Sequence, residues 1–236
     1  MQRINTNLLT ISLCDCPINC LTNYNSNFTE IIFNTYFIKY NTQKDITTNI
    51  TNITNQCLKL IPKSVNKIYF NYEFKGNICY IPSNVSKLSF YVWDKNLSEI
   101  PHTVSSVEIQ KGFNLIVDNL GDNFNTLAFG NNFNQCVHNL PSKLEKLVLG
   151  INFNQNLNHL PSNLKILCLY AHLYPLESII NLPNLTYLEL ATNDDIKIKP
   201  NFIKCKYTEI YENNIISGKG INYPISTHIK KFYFHR

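Results

Sequence analysis

The chain has 236 residues, of which 44% are hydrophobic and 16% charged, with a formal net charge of +5. Its length allows one large domain or two small ones, and its apolar content and modest charge exclude a wholly disordered chain. Asparagine is unusually frequent, with 36 residues, and we treat it as compositional background except where its position repeats.

Residues 1–40 contain two apolar triplets of the same spacing. They are Leu8/Ile11/Leu13 and, 20 residues later, Phe28/Ile31/Phe33. The first residues have no small-residue cleavage site, so a signal peptide is not expected. No stretch reaches the roughly 20 apolar residues that cross a bilayer, and no membrane association is expected.

Eight cysteines are present, and three of them form the tight cluster Cys14, Cys16 and Cys20. A zinc site needs a fourth ligand, which Cys57 could supply only by long-range folding. Disulfides are not expected without an export signal. We predict reduced structural thiols and no metal or cofactor, and the role of the cluster stays open.

The segment 41–56 consists almost entirely of Thr, Asn and Ile, and its repeat register is unclear. It is either a degenerate repeat unit or an inserted loop. We therefore assign residues 1–59 to degenerate N-terminal repeats or a cap.

From position 61 onward, an aliphatic residue followed by proline recurs about every 20 residues. The dipeptides are Ile61-Pro62, Ile81-Pro82, Ile100-Pro101, Leu140-Pro141, Leu160-Pro161 and Leu182-Pro183. Leu120-Gly121 lies midway in the one long gap. A single register is thus kept over seven units between residues 60 and 190.

Each dipeptide is followed by three apolar residues in the pattern Φ-x-x-Φ-x-Φ. They are Val65/Ile68/Phe70, Val85/Leu88/Phe90, Val104/Val107/Ile109, Phe124/Leu127/Phe129, Leu144/Leu147/Leu149, Leu164/Leu167/Leu169 and Leu185/Leu188/Leu190. The last two of each triplet point to the same side of a strand, and so short a unit can bury them only by stacking on its neighbours. The pattern predicts parallel strands stacked into one sheet, with proline in the turns, where its missing N–H is harmless.

Some asparagines occupy a fixed position in the repeat. Asn132, Asn152 and Asn193 each lie three residues after the third apolar residue. An inward amide at this position could pair with backbone groups of adjacent turns. We expect these three asparagines to be architectural.

Aromatic residues also recur, 12 residues after the Pro or Gly of four units: Phe74, Phe113, Phe133 and Phe153. This register predicts a stacked phenyl column. In one unit Asp94 occupies the same slot, and the neighbouring Trp93 is expected to pack.

Residues 191–236 continue the pattern more loosely. The triplets Tyr207/Ile210/Glu212 and Ile229/Phe232/Phe234 predict longer C-terminal repeats or a cap. The whole chain, residues 1–236, is therefore predicted to be a single solenoid domain.

Residues 140–169, LPSKLEKLVLGINFNQNLNHLPSNLKILCL, resemble FNIP-type repeats, a short class of leucine-rich repeat. Phe133-Asn134-Gln135 and Phe153-Asn154-Gln155 carry the characteristic piece. The resemblance implies a leucine-rich-repeat solenoid of the α/β class, with a parallel β-sheet on its concave face, mostly β and irregular with little helix. Family members are abundant in amoebae and their giant viruses, and are mostly described as interaction or uncharacterised proteins. For this chain we expect a cytoplasmic location, in the host cytoplasm if the protein is viral.

Catalytic motifs are absent from the sequence. It contains no G-x-S-x-G, no H-E-x-x-H, no Walker loop and no dinucleotide fingerprint. The histidines near the dipeptides, including His138 and His159, are expected on the rim rather than as ligands. We interpret the adjacent pair Asp194-Asp195 as a solvated turn. Because no catalytic arrangement is found in the sequence, we do not expect the protein to be an enzyme.

A nucleic-acid surface is not predicted either. Lys67, Lys87 and Lys146 share one repeat position and could line up. Ser106 and Thr126 interrupt that column, and phosphate-tracking surfaces are denser in charge. The lysines are interpreted as a solvated face.

The outward residues between the second and third apolar positions form a predicted surface column. It contains Glu108, Ala128, Val148, Cys168, Glu189 and Tyr211, and Tyr91 and Tyr170 belong to the next column. Gly130 and Gly150 in that next column would leave a shallow trough beside Ala128 and Val148. We predict that these eight residues bind a segment of a partner protein, with the tyrosines as anchors.

The function predicted from the sequence is therefore non-enzymatic protein–protein interaction, with a partner of unknown identity and an unknown oligomeric state. One alternative is a structural repeat protein or virion component without a defined partner. Another is a ubiquitin-ligase substrate adapter, since some FNIP proteins carry an N-terminal F-box. Residues 1–40 do not resemble an F-box, and a helical bundle there would favour the adapter.

Overall fold

A computed structural model describes residues 7–12, 28–34, 44–170, 182–191 and 231–235. These residues form ten β-strands: β1 Leu8–Ser12, β2 Glu30–Asn34, β3 Lys67–Glu73, β4 Lys87–Val92, β5 Ser106–Lys111, β6 Thr126–Phe129, β7 Lys146–Leu149, β8 Ile166–Leu169, β9 Tyr187–Ala191 and β10 Lys231–His235. They also form one α-helix, α1 Lys44–Lys59, and the short 3-10 helices Ile78–Tyr80 and Leu97–Glu99. The chain divides into two compact units, Met1–Lys111 (unit 1) and Gly112–Arg236 (unit 2).

Each unit is built on a sheet of parallel strands taken in chain order. In unit 1, β1 to β5 pair successively, and in unit 2, β6 to β10 do the same. Successive strands of a sheet therefore belong to successive coils. The predicted fold class is confirmed for the described residues, whose successive coils form a parallel β-solenoid with little helix. That residues 1–236 form a single domain stays a prediction.

The apolar triplets supply the core. In β3, Ile68 and Phe70 are fully buried, and Leu127 and Phe129 of β6 are buried in the same way. The first residue of each triplet, from Val65 to Leu185, is buried as well. Because the side-chain period of a strand is 2, this arrangement leaves the alternate residues on the opposite side of the sheet.

The proline positions form a repeated turn. The carbonyl of Pro62 accepts a hydrogen bond from the backbone N–H of Val65 at 3.1 Å. The same bond joins Pro82 to Val85, Pro101 to Val104, Pro141 to Leu144 and Pro161 to Leu164. Each turn thus closes between the proline and the first apolar residue, which aims the chain into the next strand.

The phenyl column is present in unit 2. The ring of Phe133 stacks on those of Phe113 and Phe153, with centroids 5.9 and 6.1 Å apart. In unit 1, Phe74 stacks on Trp93 at 6.0 Å. The assignment of Asp94 to this slot was wrong: Trp93 is 1% exposed and Asp94 is exposed. A one-residue adjustment places the large apolar ring inside and leaves the carboxylate in water, which burial energetics favour.

The predicted inward asparagines are also corrected. Asn132 and Asn152 are both exposed, and Asn193 lies outside the described residues. Asn132 Oδ1 accepts from Gly112 N at 3.2 Å, so it does cap a neighbouring coil, but from the surface. The regular amide ladder uses the asparagine after the phenylalanine. Asn114 Oδ1 accepts from Asn134 N at 2.8 Å, and Asn134 Oδ1 accepts from Asn154 N at 2.9 Å.

The segment 41–56 contributes to a helix, which neither sequence interpretation included. The helix α1 spans Lys44–Lys59, and β2 and β3 pair directly across this insertion. Thr54, Cys57 and Leu58 are buried, with Cys57 and Leu58 fully so. Burial of this face offsets the low helix propensity of Thr, Asn and Ile.

Two registers differ from the predicted ones near the ends of the chain. Leu9 of β1 pairs with Ile31 and Ile11 pairs with Phe33, a shift of two residues from the predicted match of Ile11 with Ile31. A shift of two keeps the same side chains on the same side of the sheet. The second difference is that β10 pairs directly with β9. The predicted triplet at 207–212 would have come between these strands, and it lies outside the described residues.

Candidate functional site

The open face of unit 2 consists of the side chains on its strands that point away from the core. Ala128, Val148, Cys168 and Glu189 are register partners on β6, β7, β8 and β9, and so form one row. Lys146, Ile166 and Tyr187 form a parallel row, and Gly130, Gly150 and Tyr170 directly follow three of the strands. Unit 2 thus brings five of the eight predicted binding residues together on one face.

Burial varies along this row. Ala128 and Val148 are partly exposed, as their outward positions predict. Cys168 is only 5% exposed and Glu189 only 9%, although they occupy equivalent outward positions. The face therefore changes from a small apolar surface at β6 and β7 to a covered polar cluster at β8 and β9.

The glycines have a backbone reason for their identity. A Cβ at Gly150 would lie 2.4 Å from the carbonyl carbon of Gly130 and 2.7 Å from Asn131 N. Both are backbone atoms of the preceding coil and cannot move aside without shifting that coil. Gly150 is thus required for coil stacking, independently of any binding role of the shallow surface beside Val148.

The polar cluster is centred on the Glu189 carboxylate. Tyr170 Oη donates to Glu189 Oε1 at 2.7 Å, and Tyr187 Oη donates to Glu189 Oε2 at 2.8 Å. Cys168 Sγ donates to Oε2 at 3.5 Å. Two hydroxyls and a thiol from two adjacent coils, those of β8 and β9, therefore hold one buried carboxylate, which compensates part of the cost of burying it.

The cluster suppresses ionisation of its donors. Burial, followed by the charge and hydrogen bond of Glu189, raises the pKa of the Cys168 thiol to about 12, although the charge of Lys146 acts in the opposite direction. Burial and the hydrogen bond to Glu189 likewise raise the pKa of Tyr170 well above its usual range. The thiol stays protonated near neutral pH, which makes it a poor nucleophile.

Tyr91 and Glu108, two other predicted binding residues, lie on the open face of unit 1. Lys111 Nζ donates to Tyr91 Oη at 2.7 Å and lies 4.8 Å from the centre of its ring. Glu108 is partly buried in the row of Tyr69 and Ser89. The eighth residue, Tyr211, lies outside the described residues, and Tyr233 is the register partner of Glu189 on β10.

A second cluster in unit 1 repeats the combination of tyrosine and carboxylate. Tyr69 Oη donates to Glu30 Oε2 at 2.9 Å, and Lys67 Nζ lies 4.4 Å from the centre of the Tyr69 ring. Burial lowers the pKa of Lys67, but the hydrogen bond to Tyr69 and the Glu30 and Glu108 carboxylates outweigh it, so its pKa is raised. In this cluster the Lys67 ammonium lies over the Tyr69 ring, and the Tyr69 hydroxyl donates a hydrogen bond to the Glu30 carboxylate.

The sequence interpretation missed Tyr187 and Glu30 as members of these clusters. Tyr187 lies two residues before Glu189 on the same strand, so it shares the open face. That spacing is the signal that could have identified it. Sequence spacing could not identify Glu30, because β2 and β3 pair across an insertion that contains α1 and interrupts the 20-residue repeat.

Other chemistry has little support in the described part of the chain. No group of three or more His, Cys, Asp or Glu side chains there could hold a metal ion. His138 and His159 are exposed, with ring centroids 5.2 Å apart. The cluster Cys14, Cys16 and Cys20 falls outside the described ranges. In those ranges, no helix is long and apolar enough to cross a membrane.

Unit 1 also has an open cleft of about 460 Å³ beside α1. Thr51 and Asn55 of the helix line one side, and Lys75, Lys95 and the exposed Cys79 line the other. Lys75 forms an ion pair with Glu73 and lies near the surface.

No protein-family model and no curated protein matches this sequence. One solved structure to which it is similar is that of CroV588, described as a novel circular leucine-rich-repeat protein. The identity is 25% and the TM-score 0.47, over 70% of this chain and 24% of that protein. The chain thus spans about a quarter of the length of that structural relative.

Proposed function

We propose that this chain is a non-enzymatic leucine-rich-repeat protein that binds a segment of a partner protein on the open face of unit 2. The observation that carries the proposal is the composition of this face. The partly exposed Ala128 and Val148 form a low apolar surface beside two tyrosines anchored on a carboxylate. Rigid aromatic anchors next to a small apolar surface are typical of protein interfaces.

A binding role fits the chemistry better than catalysis. The one thiol on the face has a pKa raised to about 12, and the Glu189 carboxylate is occupied by hydroxyl donors. Glu189 does lie beside the Cys168 thiol, but two tyrosine hydroxyls also bond to that carboxylate, and burial keeps the thiol protonated. We therefore propose that the protein acts by recognition, in the cytoplasm.

We also propose that the repeats are of the FNIP type. Supporting this, Asn134 and Asn154, which follow Phe133 and Phe153, form the ladder between coils. Gln155 Nε2 also donates to Asn134 Oδ1 at 3.1 Å. The Phe-Asn-Gln piece thus has a physical role in the two coils that contain it.

Of the two alternatives, the ubiquitin-ligase adapter has less support. The described residues between 1 and 40 form strands β1 and β2, which continue the sheet of unit 1. The other alternative is a structural repeat protein without a partner. The following experiment distinguishes it from a protein that binds a partner.

The test is partner capture by tagged full-length chain, with identification by mass spectrometry. Val148→Glu and Tyr170→Glu should each abolish recovery of a partner that the wild-type chain captures reproducibly. Asn152→Glu adds the same charge at an exposed position outside the open face, and should leave recovery unchanged. Circular-dichroism melts of all variants report whether folding is intact. Unchanged recovery with Val148→Glu and Tyr170→Glu would disprove the proposed surface.

A further inference from the structure

We propose that the open face of unit 1, formed by the outward side chains of β2 to β5, binds an acidic protein segment. Two exposed lysines lie near the two ends of β4. Lys87 is at its start, and Lys111 of β5 contacts Tyr91 near its end. The inference assigns a second binding face, and does not depend on the face proposed for unit 2.

The carboxylates of this face are already associated with lysines. The charges of Glu30 and Glu108 both act on Lys67, which is the register partner of Glu30. Glu73, at the end of β3, forms an ion pair with Lys75. Each of these carboxylates is thus associated with a lysine of β3 or of the turn that follows it.

Lys87 is a cation without a carboxylate partner. Its side chain is exposed, and neither ion pair among the described residues includes it. Both strands beside β4 are described, and the register partners of Lys87 on them are Lys67 and Ser106. Because neither of these residues is negatively charged, Lys87 is available to an acidic side chain of a partner.

Tyr91 and Lys111 together form a second anion-binding element. Lys111 Nζ donates to Tyr91 Oη at 2.7 Å, which uses one of the three N–H groups of the ammonium. No acceptor in the described part of the chain takes the hydroxyl hydrogen of Tyr91. The phenol and the ammonium thus both keep a donor at one point of the surface, where they match the two oxygens of one carboxylate.

The spacing of these two elements restricts the segment. Lys87 and Tyr91 lie four residues apart on β4, about 13 Å at the usual rise per residue. An extended partner therefore places its two acidic residues about three to five positions apart. Glu108 lies opposite Ser89, midway between the two elements. It repels a third acidic residue there, so the residues between the two acidic ones are neutral.

An acidic peptide fits this face better than a nucleic acid does. Lys67 Nζ lies 4.4 Å from the ring centre of Tyr69, and Lys111 Nζ lies 4.8 Å from that of Tyr91. An ammonium thus covers one side of each ring, whereas single-stranded nucleic acids need open rings on which bases stack. Carboxylates can bind the ammonium groups without displacing them from the rings.

The experiment measures binding of labelled full-length chain to an array of synthetic peptides, with an oligothymidylate as the nucleic-acid probe. The peptides carry two glutamates at different separations in a neutral background of serine and threonine, or two glutamines at the same positions. We expect the strongest binding for glutamates about three to five positions apart. A third glutamate between them should weaken binding, and so should high salt.

Lys87→Gln and Lys111→Gln should each weaken binding of the best peptide about threefold or more, and the double variant about tenfold or more. Tyr91→Phe, which keeps the ring and removes the hydroxyl, should weaken it less. The matched control Lys63→Gln removes an exposed charge from a turn of unit 1, and should change nothing. Circular-dichroism melts report whether all variants are folded.

The outcomes separate this inference from the proposed function. Absence of binding to any peptide, equal affinity of the wild-type and double-variant chains, or tighter binding of the oligothymidylate would each overturn the inference. Peptide binding that is lost in Val148→Glu but kept in the lysine double variant would place the acidic segment on unit 2. That result also overturns the inference, and leaves the proposed binding face intact. Peptide binding that survives Val148→Glu and is lost in the double variant supports the inference, independently of partner capture by unit 2.

Discussion

Glu189 shows that the burial of a single residue can differ from the burial that its position in the repeat predicts. Strand alternation places Cys168 and Glu189 outward, and so predicts that they are exposed. Both are instead at least nine-tenths buried, and the hydroxyls of Tyr170 and Tyr187 donate to the Glu189 carboxylate. The alternation predicted the direction of these side chains correctly, but their environment depends on what two adjacent coils place around them.

The reactivity of Cys168 provides a test at this scale. At pH 8, a thiol with a pKa of about 12 carries about a thousandfold less thiolate than an ordinary cysteine. Iodoacetamide should therefore modify the exposed Cys79 readily and Cys168 hardly at all, as measured by peptide-level mass spectrometry.

Two comparisons make this prediction specific. Raising the pH should increase the rate at Cys168 only as the pH approaches the raised pKa. Glu189→Gln removes the charge and keeps the burial, so it should increase the rate at Cys168 while leaving Cys79 unaffected. Equal rates at the two cysteines in the native chain would contradict the assigned environment.

At the scale of the repeated element, amides on the outside of the coils join each coil to the next. Asn134 Oδ1 accepts from both Asn154 N and Gln155 Nε2. The same pair of bonds joins Asn134 N and Gln135 Nε2 to Asn114 Oδ1. Such a ladder satisfies backbone groups that irregular turns leave without a partner.

Removing one step of the ladder should therefore lower stability. Asn134→Ala is expected to reduce the free energy of unfolding by about 1–2 kcal/mol, because a backbone N–H and a side-chain donor lose their acceptor. Asn152→Ala, at the exposed position first expected to be inward, should change it by less than about 0.5 kcal/mol. Urea denaturation of both variants measures the difference, and a larger loss for Asn152→Ala would contradict the assignment of the ladder.

The helix α1 is the element that sequence interpretation failed to recognise. Thr, Asn and Ile favour strands or turns over helices, and residue type was given more weight than spacing. Yet Ile46, Ile50, Ile53 and Cys57 follow one another at intervals of 4, 3 and 4 residues, which is a helical period. A periodicity scan of the segment would have indicated the helix.

At the scale of the whole molecule, the open question is whether units 1 and 2 unfold together. The repeat pattern continues from residue 60 to 190, and stability in solenoids is shared between neighbouring repeats. The chain has one tryptophan, Trp93, which is buried in unit 1, so its fluorescence reports the unfolding of that unit alone.

A cavity created by mutation in unit 2 tests whether the two units unfold together. Phe133 is 1% exposed and stacks on three other rings, so Phe133→Ala should cost about 3–5 kcal/mol. If residues 1–236 are a single domain, the urea midpoint reported by Trp93 falls together with that reported by circular dichroism. An unchanged Trp93 midpoint would show two independent domains. Lys143→Ala, at an exposed turn of unit 2, serves as the control and should move neither midpoint.

The sequence by itself determined the repeat, the strands and the residues of the core. It could do so because each coil uses the same short local pattern, and because strand alternation assigns each side chain to one side of the sheet. The proline turns, the open-face row from Ala128 to Glu189 and the phenyl column followed from the same periodicity.

The tertiary structure alone decided which departures from the pattern are tolerated. It placed Trp93 rather than Asp94 in the aromatic column, inserted α1 between paired strands and shifted β1 by two residues. It also enclosed Glu189 between two tyrosines from neighbouring coils. These features depend on contacts between coils about 20 residues apart, where burial of large rings and pairing of a buried charge outweigh local preference.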